Sequence, residues 1–235
     1  MSTPATQIIY LTVDPDKDLK DTATEAGKSW SRALDLLQQH IGFQTLYWGR
    51  SPEDWSKVQL HVVRAHLSQH YDFVNSSRYP EFLAALPTTP VSTPSNPPLT
   101  RHTQLQAFTP SALTRALSPS TPVTGSAIYI STTPTWHEGA WPLWTHVVRY
   151  VDGCLGCVGG KVLEKVDGFD NCYIVYVGWE SIEKHERYHH TKHFEQRRVI
   201  LGLGNAGYRE YGHIKFEGQR GEMADDAGHR ALERL

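Results

Sequence analysis

The sequence predicts an α+β protein built from two copies of one small β-α-β-β-α-β unit. The first observation is an internal repeat: a stretch beginning at Val58, VQLHVVRAHLSQHYDFVNSSRYPEF, aligns without a gap on one beginning at Tyr173, YIVYVGWESIEKHERYHHTKHFEQ. One constant shift relates them, 185 − 70 = 115 at the histidine pair His70 and His185. The second observation is that strand-like and helix-like patterns follow one another in the same order in both halves. A repeat of about a hundred residues indicates a duplicated domain rather than a solenoid unit.

The first unit is predicted over residues 1–110. Ile8–Val13 is rich in β-branched and aromatic residues, which favours a strand. Apolar residues at helical spacing follow it on one stripe, and these are Trp30, Ala33, Leu34, Leu37 and Ile41. Next come two strands, Phe43–Gly49 and Val58–Val63, and then a helix from about Leu67.

A proline-, serine- and threonine-rich insert at residues 87–100 interrupts the first unit. Its proline density excludes a helix and a central strand. A fourth strand, predicted at residues 102–108, then completes the unit.

A linker is predicted at 111–125, the second unit at 126–218 and a polar C-terminal tail at 219–235. The second unit repeats the order of the first, with a strand at Ala127, a helix carrying Trp144, a strand near 158–165, a strand at 173–179, a histidine-rich helix and a strand at 211–216.

Composition restricts the partners. The 235 residues carry a formal net charge of −2 with no basic run, so nucleic acid is not expected as a partner. The first residues lack the basic and apolar regions of a signal peptide, and no run approaches the roughly 20 apolar residues of a membrane span. Three cysteines are too few for a disulfide framework. We therefore expect a cytoplasmic protein without a membrane partner.

Two stretches, VGWESIEKHERYHHTKHF and GFQTLYWGR, resemble segments of the dimeric α/β-barrel superfamily, in particular its antibiotic-biosynthesis-monooxygenase-like, stress-responsive A/B-barrel and polyketide-cyclase-like branches. The resemblance implies that each unit is ferredoxin-like and that the two pair within one chain as an intramolecular dimeric α/β barrel. Such a pseudo-dimer needs no second chain, and a weak homodimer is the only further assembly expected.

The resemblance also implies a cofactor-independent enzyme of small-molecule metabolism. Its substrate would be polyketide-like, aromatic or enolic, and histidine-based proton transfer would drive cyclisation, decarboxylation or isomerisation, as in a lyase or cyclase of secondary metabolism. Two alternatives remain: a non-catalytic stress-response or ligand-binding module, and a cofactor-free or haem-dependent monooxygenase. Fold alone does not choose among them.

The catalytic candidates follow from the position of the family's H-x-x-H segment. His190-Thr-Lys-His193 stands there, so the resemblance makes His193 the general base, with Tyr188, His190 and His185 to orient it. The aligned stretch of the first unit, residues 75–78, lacks these histidines, so we expect the site in the second unit. Aromatic side chains are expected to line the substrate pocket: Tyr129, Trp144, His146, Tyr150 and Trp179.

A literal H-E-x-x-H match, His185 to His189, raises the alternative of a catalytic zinc. The upstream copy has Tyr71 and Val74 where Glu186 and His189 stand, and a strand immediately precedes the motif. This is not the setting of a metalloprotease, so neither a metal nor another cofactor is expected.

Two further motifs receive no functional role. Cys154 and Cys157 form a C-x-x-C that is predicted to fall at a helix C-terminus, where a structural or incidental role is favoured. The glycine-rich stretch from Gly202 to Gly207 follows a helix and precedes a strand, the reverse of the dinucleotide-binding order. It is therefore predicted to be a helix stop and turn.

Overall fold

The computed structural model describes residues 4–109 and 111–222. Contacts between residues divide this part of the chain into two compact units. Unit 1 comprises residues up to His102 together with Glu217–Glu222, and unit 2 comprises Thr103–Phe216.

Unit 1 contains β1 (Ala5–Thr12), α1 (Glu25–Gln38), β2 (Phe43–Arg50), β3 (Lys57–Arg64), α2 (Ser68–Val74), α3 (Arg78–Ala85) and β4 (Leu99–Thr103). Its strands lie in the order β4-β1-β3-β2, and β3 pairs antiparallel with both β1 and β2. This is the element order of a ferredoxin-like unit.

The core of unit 1 is filled by apolar side chains from helices and sheet. Thr24 caps α1, its Oγ1 accepting a hydrogen bond from the Gly27 amide at 3.0 Å, and the helix buries Trp30 edge-on against Trp48 with ring centroids 5.2 Å apart. Phe82 of α3 is also buried in this cluster. Ile41, the last residue of the predicted stripe, lies beyond the end of α1 and is 68% exposed.

Arg64 is a fully buried cation at the C-terminal end of α1. Its guanidinium donates to the carbonyl of Leu37 at 2.9 Å and to those of His40 and Ile41 at 3.1 Å. Burial lowers the pKa of Arg64 to about 10. The side chain thus satisfies carbonyls that the helix end leaves without a backbone partner.

Unit 2 contains β5 (Gln106–Ala107), α4 (Ala112–Ala116), β6 (Val123–Tyr129), a π-helical turn (Trp136–Ala140) that runs into α5 (Trp141–Val148), β7 (Cys154–Val162), β8 (Cys172–Trp179), α6 (Ile182–His189), α7 (Lys192–Arg197), α8 (Val199–Gly202) and β9 (Tyr208–Gly221), whose last residues belong to unit 1. The strand order is β9-β6-β8-β7-β5, with antiparallel β6–β8, β6–β9 and β7–β8 pairs.

Each unit therefore has the predicted ferredoxin-like plan, and the predicted α+β class is confirmed. The bounds of β3 and β8 also differ by the shift read from the sequence, since 57 + 115 = 172 and 64 + 115 = 179. Duplication as the origin of this correspondence stays a prediction.

Several predicted boundaries were wrong. The fourth strand of unit 1 begins at Leu99 rather than at residue 102, because the proline run ends at Pro98 and the backbone can pair from there. The predicted linker at 111–125 contains α4 and the first residues of β6. Residues 219–221, assigned to the tail, complete β9, and 223–235 lie outside the described residues.

Two motifs without a predicted role were the C-x-x-C and the glycine-rich turn, and only the second lies in the predicted structural setting. Cys154 and Cys157 lie at the start of β7, not at a helix C-terminus, because α5 ends at Val148. The glycine-rich turn is confirmed: α8 ends at Gly202, β9 starts at Tyr208, and Gly204 and Gly207 have positive φ of 74° and 107°. Among the helices described in residues 4–109 and 111–222, none has the length and apolar character to cross a membrane.

Candidate functional site

Unit 2 has an open cavity of about 980 Å³ between its sheet and its helices. Strands β6 and β8 supply the floor, and α5 to α8 and the start of β9 supply the walls. The aromatic and titratable lining residues are Tyr129, Trp141, Trp144, Trp179, His185, Glu186, Tyr188, His189, His190, Phe194, Glu195, Arg198, Tyr208 and Tyr211. A space of this size holds a small organic molecule and is walled mainly by aromatic rings.

Helices α7 and α8, which contribute to the cavity wall, differ from the corresponding helix of unit 1 in what they bury. In unit 1, Phe82 and Leu83 of α3 are buried in the core. The residues 115 positions further on are Arg197 and Arg198, and α7 and α8 bury no residue. Arginines therefore stand at positions whose counterparts in unit 1 are buried and apolar, and a charged head stays in water.

His185 stands at the floor of the cavity in the first turn of α6. Ser181 caps this helix, its Oγ accepting from the Lys184 amide at 3.2 Å, which fixes the turn that carries the histidine. The buried imidazole stacks on Trp179 at 4.6 Å between ring centroids. The ring position is therefore determined by the capped helix and by the last residue of β8.

A second buried histidine supports His185 from behind. His185 Nδ1 lies 2.8 Å from Nε2 of His213, which belongs to β9. His185 lines the cavity, and His213 is not among the lining residues. Because Nδ1 of His185 is engaged with His213, the other ring nitrogen of His185, Nε2, is left for a ligand.

Burial, together with the neighbouring His189 and His213, lowers the pKa of His185 to about 3. The ring is therefore neutral near pH 7 and can accept a proton. His189 has its ring centroid 4.6 Å from that of His185, and burial lowers its pKa too. The floor of the cavity therefore carries neutral imidazoles rather than cations.

Tyr188 and His193 form a second polar pair. The Tyr188 hydroxyl lies 3.2 Å from Nδ1 of His193, and burial raises the pKa of Tyr188, so the phenol keeps its proton. Tyr188 lines the cavity, whereas His193 is not among the lining residues. His190 is exposed and lines the cavity.

The predicted substrate-binding residues divide into two groups. Tyr129, Trp144 and Trp179 line the cavity as expected. His146 is exposed and Tyr150 is 75% exposed, and neither lines this cavity. His146 lies off the apolar stripe of α5, and since that stripe packs inward, its side of the helix faces solvent, whereas Tyr150 lies beyond the end of α5 at Val148.

Three contributors to the site were missed in the sequence: His213, Trp141 and His189. His213 lies in YGHIKF, where nothing marks it as a partner of a residue 28 positions earlier; its role depends on the pairing of β9 with β6. Trp141 and His189 were not among the predicted site residues, although the tryptophan cluster near Trp144 and the histidine-rich helix were signals that could have found them.

No protein-family model matches the sequence, and neither does any curated protein. Solved structures do resemble it. An anthrone oxidase-like protein has a TM-score of 0.63 and 16% identity, over 96% of this chain and 97% of its own. The chain has the dimeric α/β-barrel fold.

Two further solved structures have a similar fold. A protein titled as a predicted monooxygenase from Fusobacterium nucleatum subsp. nucleatum has a TM-score of 0.57 and 12% identity over 94% of this chain and 99% of its own. Chlorite dismutase from Candidatus Nitrospira defluvii, solved with imidazole, has a TM-score of 0.54 and 12% identity, with 93% of each chain covered. At these identities the likeness establishes the fold and leaves the activity to the site.

Proposed function

We propose that the cavity of unit 2 oxidises a planar phenolic or enolic small molecule with molecular oxygen, and that His185 is the general base. The observation that carries the proposal is the buried His185 ring, bonded to His213 through Nδ1 and lining an aromatic cavity of about 980 Å³. A neutral imidazole held in this way can remove an acidic proton from a ring-bound CH₂ or hydroxyl group.

The reaction balances without an added reductant. His185 Nε2 takes one proton from the substrate carbon, R₂CH₂, and leaves the enolate R₂CH⁻. The enolate passes its electron pair to O₂ as a C–O bond forms, which gives R₂CHOO⁻. His185 returns the proton, and the hydroperoxide R₂CHOOH then loses water to give the ketone R₂C=O. The sum is R₂CH₂ + O₂ → R₂C=O + H₂O.

The low pKa of His185 is compatible with this role because the first step creates opposite charges side by side. An enolate next to the ring favours the protonated imidazole, as any adjacent opposite charge does. The aromatic walls, including Trp144 and Trp179, are less polarisable by reorientation than water is and strengthen that attraction. Proton transfer within the cavity is therefore more favourable than the pKa of the empty site implies.

Tyr188 is the candidate to hold the substrate oxygen. Its phenol is protonated and lines the cavity, while His193 fixes its hydroxyl from outside the lining. In this arrangement His193 is a positioning residue, in place of the general base that the family motif implied. His190, at the exposed end of α6, is assigned to the cavity entrance.

The substrate class draws on two comparisons of fold. One similar structure is titled an anthrone oxidase-like protein and another a monooxygenase. An anthrone is a planar tricyclic compound whose CH₂ group is acidified by the ring carbonyl, which matches both the aromatic walls and the need for a base.

Cyclisation, decarboxylation and isomerisation share the first step, proton removal, and remain the second candidate. The observation that favours them is the same His185 site, since none of these reactions needs more than a proton acceptor. They differ from oxidation in one measurable respect, because they consume no oxygen.

The proposal is tested by incubating the purified protein with a dihydroxyanthrone in an oxygen electrode, in air and under argon. We expect one O₂ consumed per quinone formed. His185→Gln should lower the rate by about 100-fold or more, the contribution of a general base. His193→Ala should have a smaller effect, about tenfold, because it acts through Tyr188.

His146→Ala is the matched control, since it removes an exposed histidine outside the cavity and should leave the rate unchanged. Unchanged turnover in His185→Gln would refute the assignment of the base. Product formed equally under argon would replace oxidation by the proton-transfer reactions. A Soret band that follows the protein through purification would support the haem-dependent alternative. Binding of the anthrone without turnover would support the non-catalytic alternative.

A further inference from the structure

At the wall of the cavity, three potential metal ligands from two different elements converge. His185 and Glu186 lie in α6 and His213 in β9, and one ligand atom from each lies within 4.8 Å of the others. The two imidazoles are buried, and their facing nitrogens, Nδ1 of His185 and Nε2 of His213, are 2.8 Å apart. We propose that these residues bind a divalent first-row transition metal ion, with Zn²⁺ as the favoured occupant.

The ligand set determines the class of metal. Two imidazole nitrogens and one carboxylate suit Zn²⁺, Co²⁺, Ni²⁺ or Fe²⁺, whereas Mg²⁺ and Ca²⁺ prefer an all-oxygen shell. Three protein ligands leave a fourth position for water. The set departs from the H-E-x-x-H pattern, because the second histidine comes from β9 and not from the same helix.

Metal binding requires the facing nitrogens of His185 and His213 to move slightly apart. Two nitrogens bound tetrahedrally at about 2.0–2.1 Å from zinc stand about 3.3 Å apart. The His185 and His213 nitrogens must therefore separate by roughly half an ångström from their hydrogen-bonded distance. Glu186 is exposed, so its carboxylate has the freedom to complete the site.

Neighbouring groups support the third ligand. The hydroxyl of Tyr211 lies 3.4 Å from Oε1 of Glu186, and Nδ1 of His189 lies 3.9 Å from Oε2. Partners of this kind orient a ligating carboxylate. His189 also stands with its ring centroid 4.6 Å from that of His185, close enough to serve as a further ligand after a side-chain rotation.

Metal binding would act on the proposed reaction through the tautomer of His185. A neutral imidazole carries one proton, so a ring bound to metal through Nδ1 holds that proton on Nε2. Nε2 then donates a hydrogen bond and cannot accept the substrate proton. The site itself does not depend on the proposed function, but this inhibitory effect rests on it.

Binding is tested with Co²⁺ as the probe, on full-length protein stripped with EDTA. We expect one equivalent to bind with visible d–d absorption and to be displaced by Zn²⁺. Glu186→Gln, at an exposed position that folding tolerates, and His213→Gln should each weaken binding by about tenfold or more. His146→Ala controls for adventitious binding to surface histidines and should bind as the wild type does.

Equal Co²⁺ binding by the wild type, Glu186→Gln and His213→Gln would overturn the site, and so would a titration without saturation. The effect on activity is measured separately, as the rate of anthrone oxidation against bound Zn²⁺. Loss of turnover at one equivalent, reversed by EDTA, would support the tautomer argument. Zn²⁺ bound at this site with full turnover would leave the metal site standing and contradict His185 as the base.

Discussion

Gly125 and His185 are in such close contact that position 125 has no room for a side chain. A Cβ at Gly125 would lie 2.8 Å from Cε1 and 3.2 Å from Nδ1 of the His185 ring. Nδ1 is the atom that bonds to His213. The hydrogen-bonded histidine pair therefore depends on a glycine in the strand beneath it.

Gly125→Ala should displace the His185 ring and break its hydrogen bond to His213. We expect the rate of anthrone oxidation to fall by about 100-fold, the loss typical of a misplaced catalytic group. Gly139→Ala is the matched control, because a Cβ there meets nothing within 4 Å. Both rates are measured by oxygen uptake after circular dichroism shows that each variant is folded. A fully active Gly125→Ala protein would argue against the position assigned to His185.

Arg64→Met should destabilise unit 1. The substitution keeps most of the buried volume but leaves the carbonyls of Leu37, His40 and Ile41 without their donor. We expect the free energy of unfolding in urea to fall by about 3 kcal/mol. Arg32→Met removes an exposed arginine that pairs with Glu81 and should change stability by less than about 1 kcal/mol. Similar urea midpoints for the two variants would contradict a structural role for Arg64.

His70 should make the protein sensitive to acid. Burial, together with the nearby Arg64, His102 and His40, lowers the pKa of His70 to about 3, although the 3.0 Å contact of its Nε2 with the Ala5 carbonyl opposes the shift. An unfolded histidine has a pKa of about 6.5. Between these values the unfolded chain binds a proton that the folded chain does not, so stability falls as the pH falls below about 6.5.

His70→Gln removes this titration while its amide can still donate to the Ala5 carbonyl. Urea unfolding is measured at several pH values from 7 to 5. The free energy of unfolding should fall less steeply with pH in the variant than in the wild type, by up to about 1.4 kcal/mol per pH unit. Buried His61 and His185, whose pKa values are also lowered to about 3, should still contribute to the pH dependence of stability in the variant. Identical slopes for the two proteins would show that His70 is protonated in the folded state.

The plan of each unit was predictable because strands and helices carry their own periodicity. The stripe from Trp30 to Leu37 buries one side of α1, and the 115-residue shift places β8 where β3 indicates. The sequence also predicted a site in unit 2, where His185, Tyr188 and His190 line the cavity, and the roles of these residues stay predictions. Local patterns were sufficient for these features.

The remainder of the site depends on contacts between distant residues. His213 reaches His185 only through the register of β9 on β6, which no local pattern specifies. His193 was favoured by its place in a motif, yet it is the second residue of α7, a helix that buries no residue, and it lies beside Tyr188 rather than on the cavity. His146 lies on the solvent side of α5 and Tyr150 beyond the end of that helix, so neither lines the cavity.

The most direct test of the central claim is the absorption spectrum of a dihydroxyanthrone bound to the protein under argon at neutral pH. Argon stops the reaction after the first step, so the spectrum reports the protonation state of the bound ligand. The wild type should bind one equivalent as the anion, with the red-shifted band of the ionised compound, and His185→Gln should bind it in the neutral form. A neutral ligand in the wild type, or an equal anion band in His185→Gln, would contradict proton removal by His185.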